Sequence, residues 1–419
     1  MTAAVFGLLL FGAVPIALVL VISAIWYIQS SGNEVLFDSF AQQLFAGVES
    51  YGLMAIPLFM LTGELMNEGG LTKRLINAAR VFVGGFRGGL AYINLLANMF
   101  MAAIIGSAAS QIAVMSRAMV PEMEREGYDR SFAAATTAAG GLLSPIIPPS
   151  MLFVIYGVLA QVPIGDMFLA GILPGLILGA AFCAVITAIG LARGFPKGGW
   201  MSRPEALRAL RDCAPAALIP VAIVGGILLG IATPTESAAV ASLIAFLIGW
   251  LLYGEIKLSH LAEVFVRTAK NASLVIFLVA AANVFGLVIV YEAIPQQLAE
   301  RLSALTSNPF VFLLILNVGL LLIGMVLDGI SALILIGPIL LPIATGIYDI
   351  DPYQLGVIMC LNLVLGLLTP PVGAGLYIAA AMSQAKPTDI FRELLPFILV
   401  VMVVLVMLSY WPAITTALI

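Results

Sequence analysis

Residues 138–157 read AAGGLLSPIIPPSMLFVIYG, and the fold turns on this stretch. It lies inside an apolar run long enough to cross a bilayer, yet it holds Pro145, Pro148 and Pro149 behind the pair Gly140 and Gly141. Proline inside a helix removes a backbone hydrogen bond and clashes with the preceding turn. In lipid the freed carbonyl finds no water, so such a break persists only inside protein or against a cavity. The break is also repeated: Gly141-Leu-Leu-Ser-Pro145 is echoed in the second half by Gly366-Leu-Leu-Thr-Pro370. Interrupted spans at matching places in two halves of a chain point to a transporter's binding site.

Composition agrees. Of 419 residues, 62% are hydrophobic and 10% charged, and the mean hydropathy is +1.14. Soluble domains carry roughly 25% charged residues, so this is the make-up of a polytopic membrane protein. Cys183, Cys213 and Cys360 stand alone in or beside apolar segments, which argues against disulfides and metal sites. His260, the single histidine, falls in a charged connector and reads as a solvated surface group. The first apolar segment lacks a basic leader and a small-residue cleavage site, so a permanent helix is expected there.

Working outward, spans near the 20 residues needed to cross a bilayer fall at about 3–28, 44–66, 131–159 (broken) and 167–192. Others follow at 214–231, 237–253, 272–291, 353–382 (broken) and 394–413. Two further apolar regions, about 90–120 and 310–347, carry a small or polar interruption at mid-length: Gly106-Ser-Ala-Ala-Ser110 and Asp328-Gly-Ile-Ser331. Each is either one long span or two half-length helices folded into a re-entrant hairpin.

Charge decides. Basic connectors belong in the cytoplasm, and 67–90, 116–131, 193–213, 254–270 and 384–393 hold 17 of the 18 Lys and Arg residues. The connectors between them carry acids, with Arg301 the one base. With both regions folded as hairpins, every basic connector lies on one side; with either as a span, the pattern fails. The expected fold is therefore an all-α polytopic membrane protein built as an inverted repeat. The first repeat is 1–192, with hairpin 90–120 and broken helix 131–159. An amphipathic connector plus an extra transmembrane helix occupies 193–236. The second repeat is 237–419, with hairpin 310–347 and broken helix 353–382. Ser107 aligns with Asp328 and Pro121 with Pro342 at one shared offset, and DMFLAGILP from Asp166 resembles DIFRELLP from Asp389. This layout puts the N-terminus in the cytoplasm and the C-terminus outside. The stretches LTKRLINAARVF from Leu71 and PEALRALRD from Pro204 set bases on one face, as helices on an anionic leaflet do or as basic loops required by topology.

Charges within spans are functional candidates, because burying them in a bilayer is costly. Asp328, at the second hairpin tip, needs a cation or donors. Glu64 and Glu236, near span ends, read equally well as structural. Ser107, Ser110, Gln111, Ser144 and Thr369 at the breaks are either helix-end partners or ligands, and half-helix ends meeting at mid-membrane favour ligands. Helix N-termini offer positive dipole ends to a carboxylate, and unwound carbonyls with hydroxyls offer oxygen to a hard cation such as Na⁺. Asn98, Asn283, Asn317 and Asn362 are expected to bond between helices. No GxxxxGK[ST], HExxH or GxSxG motif occurs, so neither ATP hydrolysis nor another enzyme activity is indicated.

Four motifs in order, GLLSPIIPPSMLFVIYG at 141–157, GIATPTESAAVAS at 230–242, LDGISALILIGPILLPIA at 327–344 and GLLTPPVGAGLYIA at 366–379, resemble one family. It is the large membrane (M) subunit of tripartite ATP-independent periplasmic (TRAP) transporters, and the resemblance runs over essentially the whole chain. It implies an elevator-type, Na⁺-coupled importer of organic acids in a bacterial inner membrane. The implied partners are a small membrane (Q) subunit and a periplasmic substrate-binding protein, with no nucleic acid. By matching position it points to Gly106, Ser107, Ser144, Pro145, Asp328, Thr369 and Pro370 for Na⁺. Ser110, Pro148, Ser150, Ser331 and Gly373 are the corresponding candidates for contact with the carboxylate solute. The first tip, IIGSAASQIA, departs from the family pattern, so no ligand role passes to Ala108, Ala109 or Gln111. A stand-alone Na⁺/divalent-anion symporter and, more remotely, a channel are the alternatives.

Overall fold

The computed structural model describes residues 2–12, 14–32 and 35–419. Among them six helices are long and apolar enough to cross a membrane, and a pair bent by 48°, Val35–Ala46 with Tyr51–Glu68, makes a seventh. No strand occurs among the described residues beyond one isolated bridge, Arg87 to Lys197.

Both interrupted regions are hairpins. The first has a leading arm, Gly89–Ile105, and a returning arm, Ala108–Arg125. Arg80 pairs with Glu122 at 3.4 Å, which puts the returning end beside the chain that leads in. The second has arms Pro309–Gly324 and Gly329–Gly346. There the Tyr348 hydroxyl donates to the Thr306 carbonyl at 3.0 Å, closing the hairpin in the same way. The arms run to 16–18 residues, about 24–27 Å at 1.5 Å per residue, and so exceed the expected half-length.

The basic connectors meet at one end, as the charge pattern requires. Arg74 pairs with Glu255, Arg193 with Glu393 and Arg267 with Glu68, each joining two connectors assigned to the same side. The first hairpin opens at this end. At the far end Tyr353 donates to Asp166 at 3.1 Å. The broken helices run antiparallel between the two ends: Arg130–Gly141 with Met151–Ala160, then Pro352–Gly366 with Ala374–Ser383. The Tyr156 hydroxyl, late in the first, donates to the Pro352 carbonyl at the start of the second.

Element order recurs. The helix starts pair as Leu71 with Ile294, Ala108 with Gly329, Arg130 with Pro352, Met151 with Ala374 and Ile164 with Pro387, at a nearly constant interval. Packing crosses between the halves. The first hairpin's returning arm lies against Ala374–Ser383, and the second's lies against Met151–Ala160. Around this crossed core, Ala55–Glu68, Pro234–Leu247, Leu258–Tyr291 and Ile16–Ser31 pack on one another as a separate frame.

Three boundaries differ from expectation. The span placed at 3–28 is two helices, Thr2–Phe11 and Ile16–Ser31, parted by Gly12 and Pro15. The connector at 193–213 and the span at 214–231 share one helix, Arg203–Leu228, opened by a capping box of Ser202 and Glu205. Likewise 254–270 and 272–291 share Leu258–Tyr291. A change from charged to apolar side chains does not stop a helix when the residues on both sides of it are helix formers, Ala, Leu, Glu and Arg before it and Ala, Leu and Ile after it. Polarity marked the membrane boundary, and backbone propensity ran through it.

Candidate functional site

The repeated motif folds the same way twice. At the first break the amides of Leu142, Leu143 and Ser144 bond the carbonyls of Ala139, Gly140 and Gly141. At the second, Leu367, Leu368 and Thr369 bond Val364, Leu365 and Gly366 in the same turn. A cis Pro–Pro bond follows each turn, at Pro148–Pro149 and at Pro370–Pro371. The first break, 142–150, is longer than the second, 367–373, so the match between halves slips slightly from the turns to the helices at Met151 and Ala374.

A polar cap restarts the helix after the first break, whereas the helix after the second starts at Gly373 with no side-chain cap. Ser150 Oγ accepts from the Phe153 amide and donates to the Pro145 carbonyl at 2.7 Å, tying the loop across its own base. Thr369 Oγ1 donates to the Leu365 carbonyl. Ser144 Oγ is buried and has no hydrogen-bond partner among the described residues. An orphaned hydroxyl is costly in an apolar interior; a hydroxyl oxygen amid unwound backbone suits a hard cation.

Each hairpin tip rests on a break. Gly106 turns the first tip at φ +63°, and a Cβ there would lie 3.5 Å from the Met151 amide. At the second tip the Gly373 amide donates to the Met325 carbonyl at 3.2 Å. Behind it Gly324 and Gly366 touch backbone to backbone, since a Cβ on Gly366 would meet the Gly324 carbonyl carbon at 2.2 Å. Ser107 and Asp328, aligned from sequence, hold the same place: each is the residue before its returning arm. Asp328 is exposed; its carboxylate accepts from the amides of Ile330 and Ser331 and from the Ser331 hydroxyl. The helices starting at Ala108, Met151, Gly329 and Ala374 thus all begin at tips or breaks.

A cavity of about 250 Å³ gathers part of this set. Ser107 and Ser110 of the first tip, Met151 of the first break and Ile330 of the second tip line it. Facing them across the frame are Gly63, Glu64, Asn67 and Asn271. Gly106 and Pro149 border a narrower gap beside it. Of the residues named from sequence, Ser107, Ser110 and Glu64 line the cavity itself, with Ser331 next to Ile330 in the chain and Asp328 two residues before it. Ser144, Pro145, Pro148 and Ser150 are buried behind it, and Thr369, Pro370 and Gly373 belong to the second break, apart from this wall.

On the frame side the sequence offers Glu64 as a candidate that reads equally well as structural, and its cavity neighbours carry no such signal singly. Met60, Gly63, Glu64 and Asn67 sit at helical spacing on one face, a signal the sequence offered. Glu64 is held by Arg267, whose guanidinium lies 3.3 Å from it and 3.1 Å from Glu68. Gln111 is tied down through its amide nitrogen, while its Oε1 is buried without a hydrogen-bond partner among the described residues. Its Nε2 donates to the carbonyl and to Oδ1 of Asn98, both at 2.9 Å, and Asn98 bonds Asn94, which bonds Thr137. That chain stitches the first hairpin to the first broken helix. In the second half Asn362 bonds Asn317, which bonds Ser409. Asn283 donates to Gln43. All four asparagines therefore bond as expected.

Comparison with known proteins bears on this geometry. The family model for the tripartite ATP-independent periplasmic transporter, DctM component, matches residues 3–414. The chain belongs to that family. This DctM-family chain is 34% identical over 417 residues to the sialic acid TRAP transporter large permease protein SiaM of Vibrio cholerae, covering 99% of this chain and 97% of that one. It is 36% identical over 380 residues to the C4-dicarboxylate TRAP transporter large permease protein DctM of Pseudomonas aeruginosa, covering 91% and 89%. Identity reaches 37% over 411 residues with the isethionate TRAP transporter permease protein DctMQ of Oleidesulfovibrio alaskensis; the match takes in 98% of this chain but 64% of that longer protein. Among solved structures, the YdaH transporter of Alcanivorax borkumensis superposes with a TM-score of 0.65 at 14% identity, over 91% of this chain and 89% of that one. That likeness concerns the fold alone.

Proposed function

We propose that this DctM-family chain is the translocating subunit of a Na⁺-coupled importer of carboxylate or related organic anions. The observation that carries the reading is the meeting of tips and breaks, where helix N-termini adjoin a cavity lined by Ser107 and Ser110. Helix starts carry partial positive charge and free amides, which suit an anionic solute. Ser144 Oγ, the Thr369 hydroxyl and the break carbonyls suit Na⁺, with Asp328 supplying charge at the second tip. Relatives named for sialic acid, C4-dicarboxylates and isethionate all handle acidic solutes.

The crossed packing of hairpins and broken helices supports a rigid-body, elevator-like movement of that core against the frame. Bound Na⁺ offsets the solute's charge, so that the core crosses only when loaded. The basic end lies in the cytoplasm of a bacterial inner membrane, with the N-terminus inside and the C-terminus outside. A small membrane subunit and a periplasmic binding protein complete the system. The test is uptake of labelled carboxylates by proteoliposomes holding this chain and its small subunit, with and without an inward Na⁺ gradient and the binding protein. Uptake requiring both is expected. Na⁺-driven uptake without the binding protein would make the chain a stand-alone symporter.

A further inference from the structure

A second cleft, of about 920 Å³, opens where Arg203–Leu228 passes the end of Pro234–Leu252 and the start of Leu71–Val83. One rim is basic, formed by Arg74, Arg208 and Arg211. The Arg74 guanidinium lies 3.7 Å from the centre of the Tyr253 ring, donates to the Gly70 carbonyl and pairs with Glu255, so it is held in place. Arg208 and Arg211 stand three positions apart on one exposed face, and neither joins an ion pair among the described residues. Asp212 also lines the rim, and its backbone carbonyl accepts from the Tyr253 hydroxyl at 2.6 Å. With Glu255 already paired to Arg74, the Arg208 and Arg211 guanidiniums outweigh Asp212, the one unpaired carboxylate lining the cleft among the described residues; Glu205, one turn before Arg208, feels its charge but does not line the cleft.

The opposite wall is apolar and faces outward. Leu218 is 55% exposed and Leu252 60%. The cleft therefore spans the point at which the Arg203–Leu228 helix changes from charged to apolar. A ligand filling it meets guanidiniums at one end and hydrocarbon at the other. Arginine recognises phosphate by paired, charge-assisted hydrogen bonds. A basic pocket between helices on the cytoplasmic side suits an anionic lipid head.

We infer that this cleft binds an anionic glycerophospholipid, with its phosphodiester on Arg208 and Arg211 and an acyl chain along Leu218 and Leu252. The shared chemistry is a phosphate anion, and the acyl wall selects the lipid over the free ion. The site is remote from the hairpin tips and does not depend on the transport reading.

The test is native mass spectrometry of the full chain in neutral detergent with phosphatidylglycerol, phosphatidylcholine or inorganic phosphate. Wild-type chain is expected to retain phosphatidylglycerol over phosphatidylcholine, with millimolar phosphate failing to displace it. Arg208→Gln with Arg211→Gln should weaken phosphatidylglycerol binding roughly 10- to 30-fold. Leu218→Ser should weaken long-chain lipid more than a short-chain analogue with the same head. Equal retention of the two lipids, or unchanged binding by the arginine variant, would overturn the assignment. So would displacement by phosphate alone, which marks an anion site, or stripping of the lipid by the small membrane subunit, which marks a protein interface. Arg208→Gln alone, a milder change, should show an intermediate loss.

Discussion

Replacing Asp328 by asparagine separates the two tasks of its carboxylate. One is mechanical: it caps the returning arm by accepting from the Ile330 and Ser331 amides at 3.2 and 3.3 Å. Asparagine caps a helix about as well as aspartate, whereas alanine forfeits about 1 kcal/mol. The other is electrostatic. A unit charge about 4 Å from a cation contributes about 4 kcal/mol at an effective dielectric of 20. Asp328 is exposed, so solvent screening cuts this to about 1 kcal/mol. Asp328→Asn should therefore leave the unfolding midpoint of the purified chain nearly unchanged. It should raise the half-saturating Na⁺ concentration for uptake by roughly 5-fold. Asp328→Ala should show the same transport defect together with loss of stability. The assay is Na⁺-titrated uptake in proteoliposomes beside thermal unfolding in detergent. Wild-type Na⁺ dependence in Asp328→Asn would refute the cation role and leave only the cap.

Gly366→Ala forces the second tip from the second break, since 2.2 Å must open by about 1 Å; overpacking of this kind costs about 1–3 kcal/mol. Gly319→Ala, with nothing within 4 Å, is the control, and equal unfolding midpoints for the two would sink the close-packing argument. Ser144→Ala removes an orphaned buried hydroxyl and should leave the Na⁺-free chain as stable or up to about 1 kcal/mol more so, while uptake needs more Na⁺. Unchanged Na⁺ dependence would take Ser144 out of the cation site. Gln111→Leu strands Oδ1 of Asn98 and should cost about 0.5–2 kcal/mol, with Na⁺ dependence unaltered in whatever protein remains folded; a shifted Na⁺ requirement would reinstate Gln111 as a ligand.

Much of this architecture could be read from charge and proline. The Arg80–Glu122 pair closes the first hairpin where the basic connectors required closure, and the GLLSP and GLLTP turns fold alike because their prolines forbid the same continuation. What resisted reading was local. Helix ends such as Arg203 and Leu258 lie in charged connectors, where hydropathy gives no signal; a capping box marks the first, and no side-chain cap marks the second. The frame's share of the cavity stayed open because Glu64, taken alone, reads equally well as structural. Its meaning comes from Arg267, far along the chain in the second half, and from Asn271 one turn beyond. The grouping of first-break residues behind Ser107 also depends on long-range packing, which residue spacing does not encode.

The crossed packing sets a schedule for the ribosome. Ala108–Arg125 rests against Ala374–Ser383, so it waits for its neighbour until the whole stretch 126–383 has been made. At roughly 5–20 residues per second this takes about 10–50 s. Hairpins and half-helices can form in far less time than that. Through that interval the first half must sit in the membrane with its break and its returning arm uncovered. A lone first half is thus an unfinished object rather than a small transporter, and whatever inserts this chain has to shelter it until the second half arrives.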